Sequence, residues 1–141
     1  AMLVTMLYRL EGSPAVEGNV SETFTDCKDT AYYANAVLWA FQNEIVTGRG
    51  ETTFEPLSNL TRQEMAVILY NYMKYKGADE VTEPELSYSD ADKVASWATA
   101  AVAYCTQTEL MNGVTAETFD PAGSANRAMG ATVLVRIAEA A

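Results

Sequence analysis

The sequence predicts an all-α protein built from helical repeats, and three observations lead to this fold class. A motif that occupies residues 24–62 recurs over residues 88–127, with Phe54 and Phe119 lying 65 residues apart. Apolar residues inside each copy follow the helical period rather than the alternation of strands. Glycine and proline fall between the periodic segments, where they predict extended loops. Such internal periodicity fixes the architecture before single residues are interpreted.

The first predicted helix of each copy has one apolar face, because its apolar residues follow i, i+3, i+4, i+7, i+8 spacing. They are Tyr33, Ala36, Val37, Ala40 and Phe41 in one copy and Trp97, Ala100, Ala101, Tyr104 and Cys105 in the other. Since Asp26 and Asp90 lie only 64 residues apart, we place the additional residue of the second copy between Trp97 and Gly113. Gly48 and Gly113 are predicted to end this helix.

The second predicted helix occurs three times, because residues 1–9 match the segments that follow Arg62 and Arg127. Its apolar stripe is Leu3, Met6, Leu7 and Leu10, then Met65, Ile68, Leu69 and Tyr72, then Gly130, Val133, Leu134 and Ile137. Three equivalent stripes bury one another when they meet at a common axis. This predicts a pseudo-threefold arrangement around a central three-helix bundle.

The chain accordingly divides into two whole repeats and the end of another, within one compact domain. The predicted boundaries are 1–17 for the C-terminal half of a first repeat, 18–80 for a second and 81–141 for a third. The segments Glu11–Glu22 and Gly77–Leu86 are rich in glycine, proline and acidic residues. That composition predicts exposed connectors.

An extended loop with an aromatic residue precedes the second helix of each whole repeat. Phe54-Glu55-Pro56 and Phe119-Asp120-Pro121 form it, since proline disfavours helix at the residue before it. The residues from Thr61 to Glu64 then match a capping box. In that motif the Thr61 hydroxyl accepts from the Glu64 amide, and the Glu64 carboxylate reaches back.

Composition excludes several classes of function. Nineteen acidic side chains against nine basic ones give a net charge of −10, which argues against nucleic acid or an anionic membrane as a partner. The absence of histidine removes Ser-His-Asp and Cys-His catalysis and the commonest zinc ligand. No apolar run approaches the roughly 18 residues that a membrane span needs. We therefore expect no cofactor, no metal site and no membrane insertion.

The remaining reactive residues form no catalytic pair. A glycosidase holds two carboxylates across a cleft, one of them with a raised pKa, whereas the acidic residues of this chain fall mostly in connectors. Cys27 lies in a loop and Cys105 takes an apolar helix position, so we expect free thiols. Cys105 should behave as a small buried hydrophobe. The chain is predicted not to be an enzyme.

The repeated motif resembles the repeat of the S-layer homology (SLH) family. F-T-D…Y-A-x-A-V…I-V-T-G…F-E-P…L-T-R-Q-E-M-A carries the resemblance, and Y-S-D…W-A…L-M-N-G…F-D-P…N-R-A-M is a divergent second copy. The resemblance covers nearly the whole chain and implies repeats in threes, with one helix of each in a central bundle. It also implies a groove between adjacent repeats. The implied site residues are Asp26, Gly48, Thr61, Arg62 and Glu64 in one repeat, and Asp90, Gly113 and Arg127 in the other.

The resemblance further implies a non-catalytic anchor at the bacterial cell surface. SLH repeats hold exported proteins to the envelope by binding an acidic secondary cell-wall polysaccharide, often one that bears pyruvate ketals. An extracellular location is implied, and a signal peptide is expected in the parent protein, outside this sequence. In this family, catalysis belongs to other domains of the parent protein.

Two interpretations of the arginines are open at this point. Arg62 and Arg127 stand at helix N-termini, where a guanidinium fork, free amides and the helix dipole suit the carboxylate of an acidic sugar. Alternatively, each arginine pairs with Glu55 or Asp120 and fastens the loop.

The aspartates and aromatic residues of the motif also allow two interpretations. Asp26 and Asp90 either accept from sugar hydroxyls or cap the turn before the first helix, and we favour the cap. Tyr33 and Trp97 could stack on a sugar ring. Because they begin the apolar stripe, we expect them in the core.

Departures from the family pattern support an alternative function. Asn126 and Met129 replace threonine and glutamate in the last repeat, so that its cap and groove should be weak, and a net charge of −10 repels an acidic polymer. The alternative is a structural or protein–protein interaction module with degenerate sugar grooves. We also expect self-association through the truncated first repeat, where the apolar surface that a missing helix would cover is left exposed.

Overall fold

The longer helices form where the sequence shows an apolar stripe. A computed structural model gives the bounds of all the elements described below. It describes residues 2–46, 60–78, 81, 86, 88–108, 110–111, 118–125 and 127–140. The α-helices are α1 (Met2–Leu10), α2 (Val20–Thr23), α3 (Ala34–Gln42), α4 (Arg62–Tyr75), α5 (Thr99–Gln107) and α6 (Arg127–Ala140). A 3-10 helix spans Ala91–Lys93, and the strands are β1 (Leu60–Thr61) and β2 (Ser124–Ala125), paired antiparallel. The prediction of an all-α fold is confirmed, because these strands have only two residues each.

The chain separates into two compact units, Ala1–Ser58 and Asn59–Ala141. The predicted boundaries of the three repeats and the pseudo-threefold arrangement around a central bundle stay predictions. Gly48, Gly113, Asn126 and the loop Phe54–Pro56 lie outside the described residues.

In the first unit, α3 packs against α1 and α2. Tyr8 of α1 meets Trp39 of α3 with ring centroids 5.6 Å apart. The buried cluster beside α2 consists of Val20, Phe24, Cys27, Tyr33, Ala34, Val37 and Leu38. The segment Glu11–Glu22 is therefore only partly an exposed connector, because Val20 turns into the core and starts α2.

In the second unit, α4 packs against α5. The whole predicted stripe of α4 is buried, and α5 contributes Ala101, Val102, Ala103 and Cys105 to the core. The Cys105 thiol donates to the Ala66 carbonyl at 3.7 Å. Both cysteines are free, as expected, and both are buried, although burial was predicted only for Cys105. On α6, Gly130, Val133 and Ile137 are buried and Leu134 is half-buried, which matches the predicted stripe.

The register of the first helix in the second copy differs from the prediction. Tyr33 is the N-cap of α3 and Ala98 is the N-cap of α5, so the equivalent positions lie 65 residues apart. The additional residue therefore lies before α5, between Asp90 and Ala98. Tyr33 is 6% exposed, as expected for a core residue, but Trp97 is 60% exposed. The expectation that Trp97 packs in the core was wrong, because it precedes the buried N-cap position.

The predicted end of the first helix was also wrong. α3 ends at Gln42, well before Gly48, and the chain leaves it through Glu44 with a left-handed φ of 60°. The Ile45 amide then returns to the Ala40 carbonyl at 2.8 Å. Near this end Phe41 is 38% exposed, although its ring still meets that of buried Phe24 with centroids 5.3 Å apart. Leu10, the last residue of α1, is likewise 42% exposed.

No helix among the described residues is both long enough and apolar enough to cross a membrane.

Candidate functional site

The start of α4 carries three of the predicted site residues. The Thr61 hydroxyl accepts from the Glu64 amide at 3.3 Å. The Glu64 carboxylate accepts from the Thr61 amide at 2.9 Å and from its hydroxyl at 3.0 Å. The predicted capping box is therefore confirmed. These two side chains fix the backbone directly beside Arg62.

The backbone amides of the first turn of α4 are occupied by the loop before α6. The Arg62 amide donates to the Gly123 carbonyl at 2.8 Å, and the Gln63 amide donates to the Pro121 carbonyl at 3.0 Å. Since the Glu64 amide donates to Thr61, each of the first three helix amides has a protein acceptor. The interpretation that free amides receive an anion at this helix start was wrong for these three amides, because two loop carbonyls and the Thr61 hydroxyl already bind them.

The Arg62 side chain is held by the same loop. Its Nε donates to the Phe119 carbonyl at 2.8 Å, and its Cζ lies 4.8 Å from the centre of the Phe119 ring. Its Nη1 approaches the Met129 sulfur at 3.6 Å, and the whole residue is only 6% exposed. Arg62 thus fastens the loop, as one of the two interpretations held. These contacts are to a carbonyl and a ring, whereas that interpretation named the carboxylates of Glu55 and Asp120.

Burial of Arg62 has an electrostatic cost that the loop offsets. Loss of water lowers the pKa of the guanidinium, while the negative charge of Asp120 raises it. The group keeps its charge, because a guanidinium does not deprotonate in proteins. A cation over an aromatic face is further stabilised by the ring quadrupole. The second unit therefore contains a fixed positive charge at the base of this loop.

Asp90 holds the loop from the other side. Its two carboxylate oxygens accept from the Phe119 amide at 3.0 Å and from the Asp120 amide at 2.8 Å. These bonds lower the pKa of the Asp90 carboxyl. Asp90 does bind backbone amides, as the cap interpretation required, but they belong to a distant loop rather than to the adjacent turn.

The path of the loop depends on a left-handed residue and a glycine. Asp120 has a φ of 57°, a conformation that aspartate tolerates better than most residues. The Asp120 carboxylate fills the space where a side chain on Gly123 would begin. The Gly123 amide also donates to the Asp120 carbonyl at 3.0 Å. This compact turn aims its carbonyls at α4.

Comparison with known proteins identifies the repeat. The sequence profile of the S-layer homology domain matches residues 23–66 and 87–128, together more than half of the chain. The chain belongs to the S-layer homology domain family. The two matched segments contain the capping box, Arg62, Asp90 and the whole loop 118–123.

Several larger proteins contain a similar SLH segment. The amylopullulanase of Thermoanaerobacterium thermosulfurigenes is 30% identical over 120 residues, which are 84% of this chain and 6% of that protein. The cellulosome-anchoring protein of Acetivibrio thermocellus is 27% identical over 122 residues, 86% of this chain and 27% of that protein. The surface-layer 125 kDa protein of Lysinibacillus sphaericus is 35% identical over 82 residues, 58% of this chain and 6% of that protein. The chain spans a small part of each.

The predicted SLH site residues are only partly brought together. Thr61, Arg62, Glu64 and Asp90 meet at the start of α4 and the loop 118–123. Asp26 belongs to the first unit, where it is exposed and accepts weakly from the Cys27 thiol at 3.8 Å. The remaining predicted positions are Gly48, Gly113 and the Arg127 side chain, which lie outside the described structure.

Two contributors to this SLH site were missed or undervalued in the sequence. The motif indicated Phe119 only as a loop anchor, but its ring also supports the Arg62 guanidinium. Gln63 accepts from the Ala95 amide at 2.9 Å and so binds the segment before α5 to α4. Only its place between Arg62 and Glu64 could have drawn attention to it. Within the described ranges, no group of three or more acidic or cysteine side chains is arranged to hold a metal ion.

Proposed function

We propose that the chain is a non-catalytic module that anchors its parent protein to the bacterial cell wall. Its proposed ligand is an acidic secondary cell-wall polysaccharide, including polymers that bear pyruvate ketals. The observation that carries the proposal is the SLH match in both repeats, together with similarity to a protein named as cellulosome-anchoring. The matched segment is only 6% of the amylopullulanase, which supports a role other than catalysis. The proposed location is the extracellular face of the cell.

The proposed ligand-binding residues are Asp26, Gly48, Thr61, Arg62, Glu64, Asp90, Gly113 and Arg127. Within the second unit, support comes from the way the loop 118–123 fixes Arg62. A cation held in one position loses little conformational entropy when a ligand carboxylate approaches. It also offsets, locally, the repulsion of an acidic polymer by a chain of net charge −10.

Cosedimentation with purified cell-wall sacculi tests the proposal. We expect the parent chain to bind sacculi that retain the acidic polymer and not sacculi from which it has been extracted. Arg62→Ala should lose binding, whereas Lys76→Ala, which removes an exposed positive charge at the far end of α4, should not. Circular dichroism checks that each variant is folded. Equal binding of the parent chain to both kinds of sacculi would refute the proposal.

A second candidate function is a structural or protein–protein interaction module with degenerate sugar grooves. It is favoured by the protein contacts that Thr61, Arg62, Glu64 and Asp90 make within the second unit. Ionic strength separates the candidates, because salt screens exposed charges. Binding to isolated acidic polymer that strengthens as salt falls supports a local cationic site. Binding that weakens as salt falls supports the module without a functional groove.

Self-association also stays a proposal, with a direct test. Sedimentation over a range of protein concentrations should show a growing fraction of dimer if apolar surface of the first repeat is exposed. A strict monomer at high concentration would contradict it.

A further inference from the structure

Two aromatic side chains are exposed at matching places in the two repeats. Tyr32 is 64% exposed and Trp97 is 60% exposed. Each directly precedes the N-cap residue of its helix, Tyr33 for α3 and Ala98 for α5. The two N-cap residues have similar backbone angles, with φ and ψ of −91° and −4° for Tyr33 and −108° and −8° for Ala98. The exposed aromatic position is thus a shared feature of the repeat.

The turn that carries Trp97 is fixed to the candidate site. The Ala95 amide donates to the Gln63 side chain at 2.9 Å, and the Thr99 hydroxyl donates to the Ala95 carbonyl at 3.2 Å. Gln63 follows Arg62 in the first turn of α4. Trp97 is therefore presented from a turn attached to the same helix start that holds the fixed cation.

The Tyr32 ring is oriented by the core of its own unit. It meets the ring of buried Tyr33 with centroids 5.3 Å apart and an interplanar angle of 75°. An edge contact of this kind is a preferred aromatic geometry. Tyr32 is thereby oriented while most of its surface still faces solvent.

The surroundings of both rings suit a sugar better than a protein partner. Asp92, Lys93 and Ser96 are exposed near Trp97 in the chain, and Asp29 and Thr30 are exposed before Tyr32. A stable protein interface needs about 800 Å² on each partner, with an apolar centre. A single ring among polar side chains does not supply this. A pyranose ring has an apolar C–H face that covers one aromatic ring and hydroxyls that reach polar neighbours.

We propose that Trp97 and Tyr32 are stacking platforms, one in each repeat, for pyranose rings of the acidic wall polysaccharide. This inference rests on the proposed function and adds an uncharged contact to the charged one at Arg62. Because stacking does not depend on ligand charge, it should persist at salt concentrations that screen the contribution of the cation. The position accepts either tryptophan or tyrosine, as the two repeats show.

Fluorescence quenching tests the Trp97 platform, because the other tryptophan is a built-in reference. Trp39 is 3% exposed and Trp97 is 60% exposed, so acrylamide should quench mainly Trp97 in the free protein. Isolated acidic wall polysaccharide should protect Trp97 from acrylamide and leave Trp39 unchanged. Trp97→Phe should abolish the protected component. If Trp97 stays equally accessible with the polymer bound, the platform is refuted.

Binding assays provide the second readout. Trp97→Ala and Tyr32→Ala should each weaken polymer binding by about 2- to 10-fold, the range expected for one aromatic contact. Trp97→Tyr should bind like the parent chain. Tyr75→Ala is the matched control, since Tyr75 is 42% exposed at the other end of α4. It lies about 20 Å along the helix from Arg62.

The outcomes separate this inference from the proposed function. If the parent chain does not bind cell walls that carry the polymer, both the proposed function and the stacking platforms are refuted. If the parent chain binds but Trp97→Ala and Tyr32→Ala bind as tightly as Tyr75→Ala, only the platforms fall. Melting temperatures close to that of the parent chain would show that a loss of binding does not come from unfolding.

Discussion

Substitution of Asp90 by asparagine removes the charge that holds the loop while leaving the size of the side chain unchanged. In the parent chain, both carboxylate oxygens accept backbone amides, at 3.0 Å from Phe119 and 2.8 Å from Asp120. An asparagine amide can accept only one of these bonds and turns an N–H group toward the other donor. Asp90→Asn should therefore loosen the loop that occupies the first turn of α4.

The size of the effect follows from these two bonds. A hydrogen bond to a charged group contributes about 1.5–3 kcal/mol when it is shielded from water. Asp90 is half-buried, so water competes for the carboxylate and the contribution is smaller. With one bond retained, we expect Asp90→Asn to lower the free energy of unfolding by about 1–2 kcal/mol. For a unit of this length, that corresponds to a fall in melting temperature of roughly 5–10 °C.

Thermal unfolding followed by circular dichroism measures this loss, with Asp92→Asn as the control. Asp92 is exposed in the adjacent 3-10 helix, so its substitution changes the net charge equally without touching the loop. The effect should also depend on pH. The Asp90 pKa is lowered from 3.8 by its bonds to the loop amides. Its stabilisation is therefore fully present above that ordinary value and lost as the pH falls through the lowered one. Equal melting temperatures for the two variants at pH 7 would refute the reasoning.

Two further substitutions test other contacts of the second unit, and one labelling experiment tests the two thiols. Thr61→Ala removes the capping box and should lower the free energy of unfolding by about 1 kcal/mol in urea titrations; an unchanged midpoint would mean that the cap is not needed. Arg62→Met keeps the apolar stem but leaves the buried Phe119 carbonyl without its Nε donor, which should cost about 1–3 kcal/mol by the same measurement. Burial raises the pKa of the Cys27 thiol to about 11 and that of the Cys105 thiol to about 12. Both thiols should therefore react slowly with a disulfide reagent at pH 8 in the native protein and quickly after unfolding; rapid labelling of the native protein would contradict this.

Local patterns in the sequence predicted local structure well. The stripe of α4 and its capping box were predicted because each depends on residues three or four positions apart on one helix. The buried Tyr33 was predicted for the same reason. The error at Trp97 arose because the second copy has one additional residue, so Tyr33 can be aligned with either Trp97 or Ala98. Only the buried N-cap position in the structure shows that Ala98 is the equivalent residue.

The site itself was harder to predict because its contacts join distant parts of the chain. Asp90 and Phe119 are 29 residues apart, and Arg62 and Phe119 are 57 residues apart. Repeat spacing identified Arg62 and Asp90 as special but could not supply their partners. Charged side chains usually lie at the protein surface, so the burial of Arg62 was not expected. Its partner is a backbone carbonyl, which any residue offers, and the sequence therefore carries no mark of it.

The use of main-chain acceptors has a consequence for how this repeat tolerates change. The start of α4 donates hydrogen bonds to three loop carbonyls, those of Phe119, Pro121 and Gly123. Replacing an exposed side chain such as that of Ala122 leaves those oxygens in position, so composition is free there but not at Phe119, Asp120 and Gly123. Adding or deleting one residue would displace all three acceptors together. Chimeras that exchange this segment between related proteins should therefore succeed when its length and these three residues are kept, and fail when its length changes, however similar the residues are.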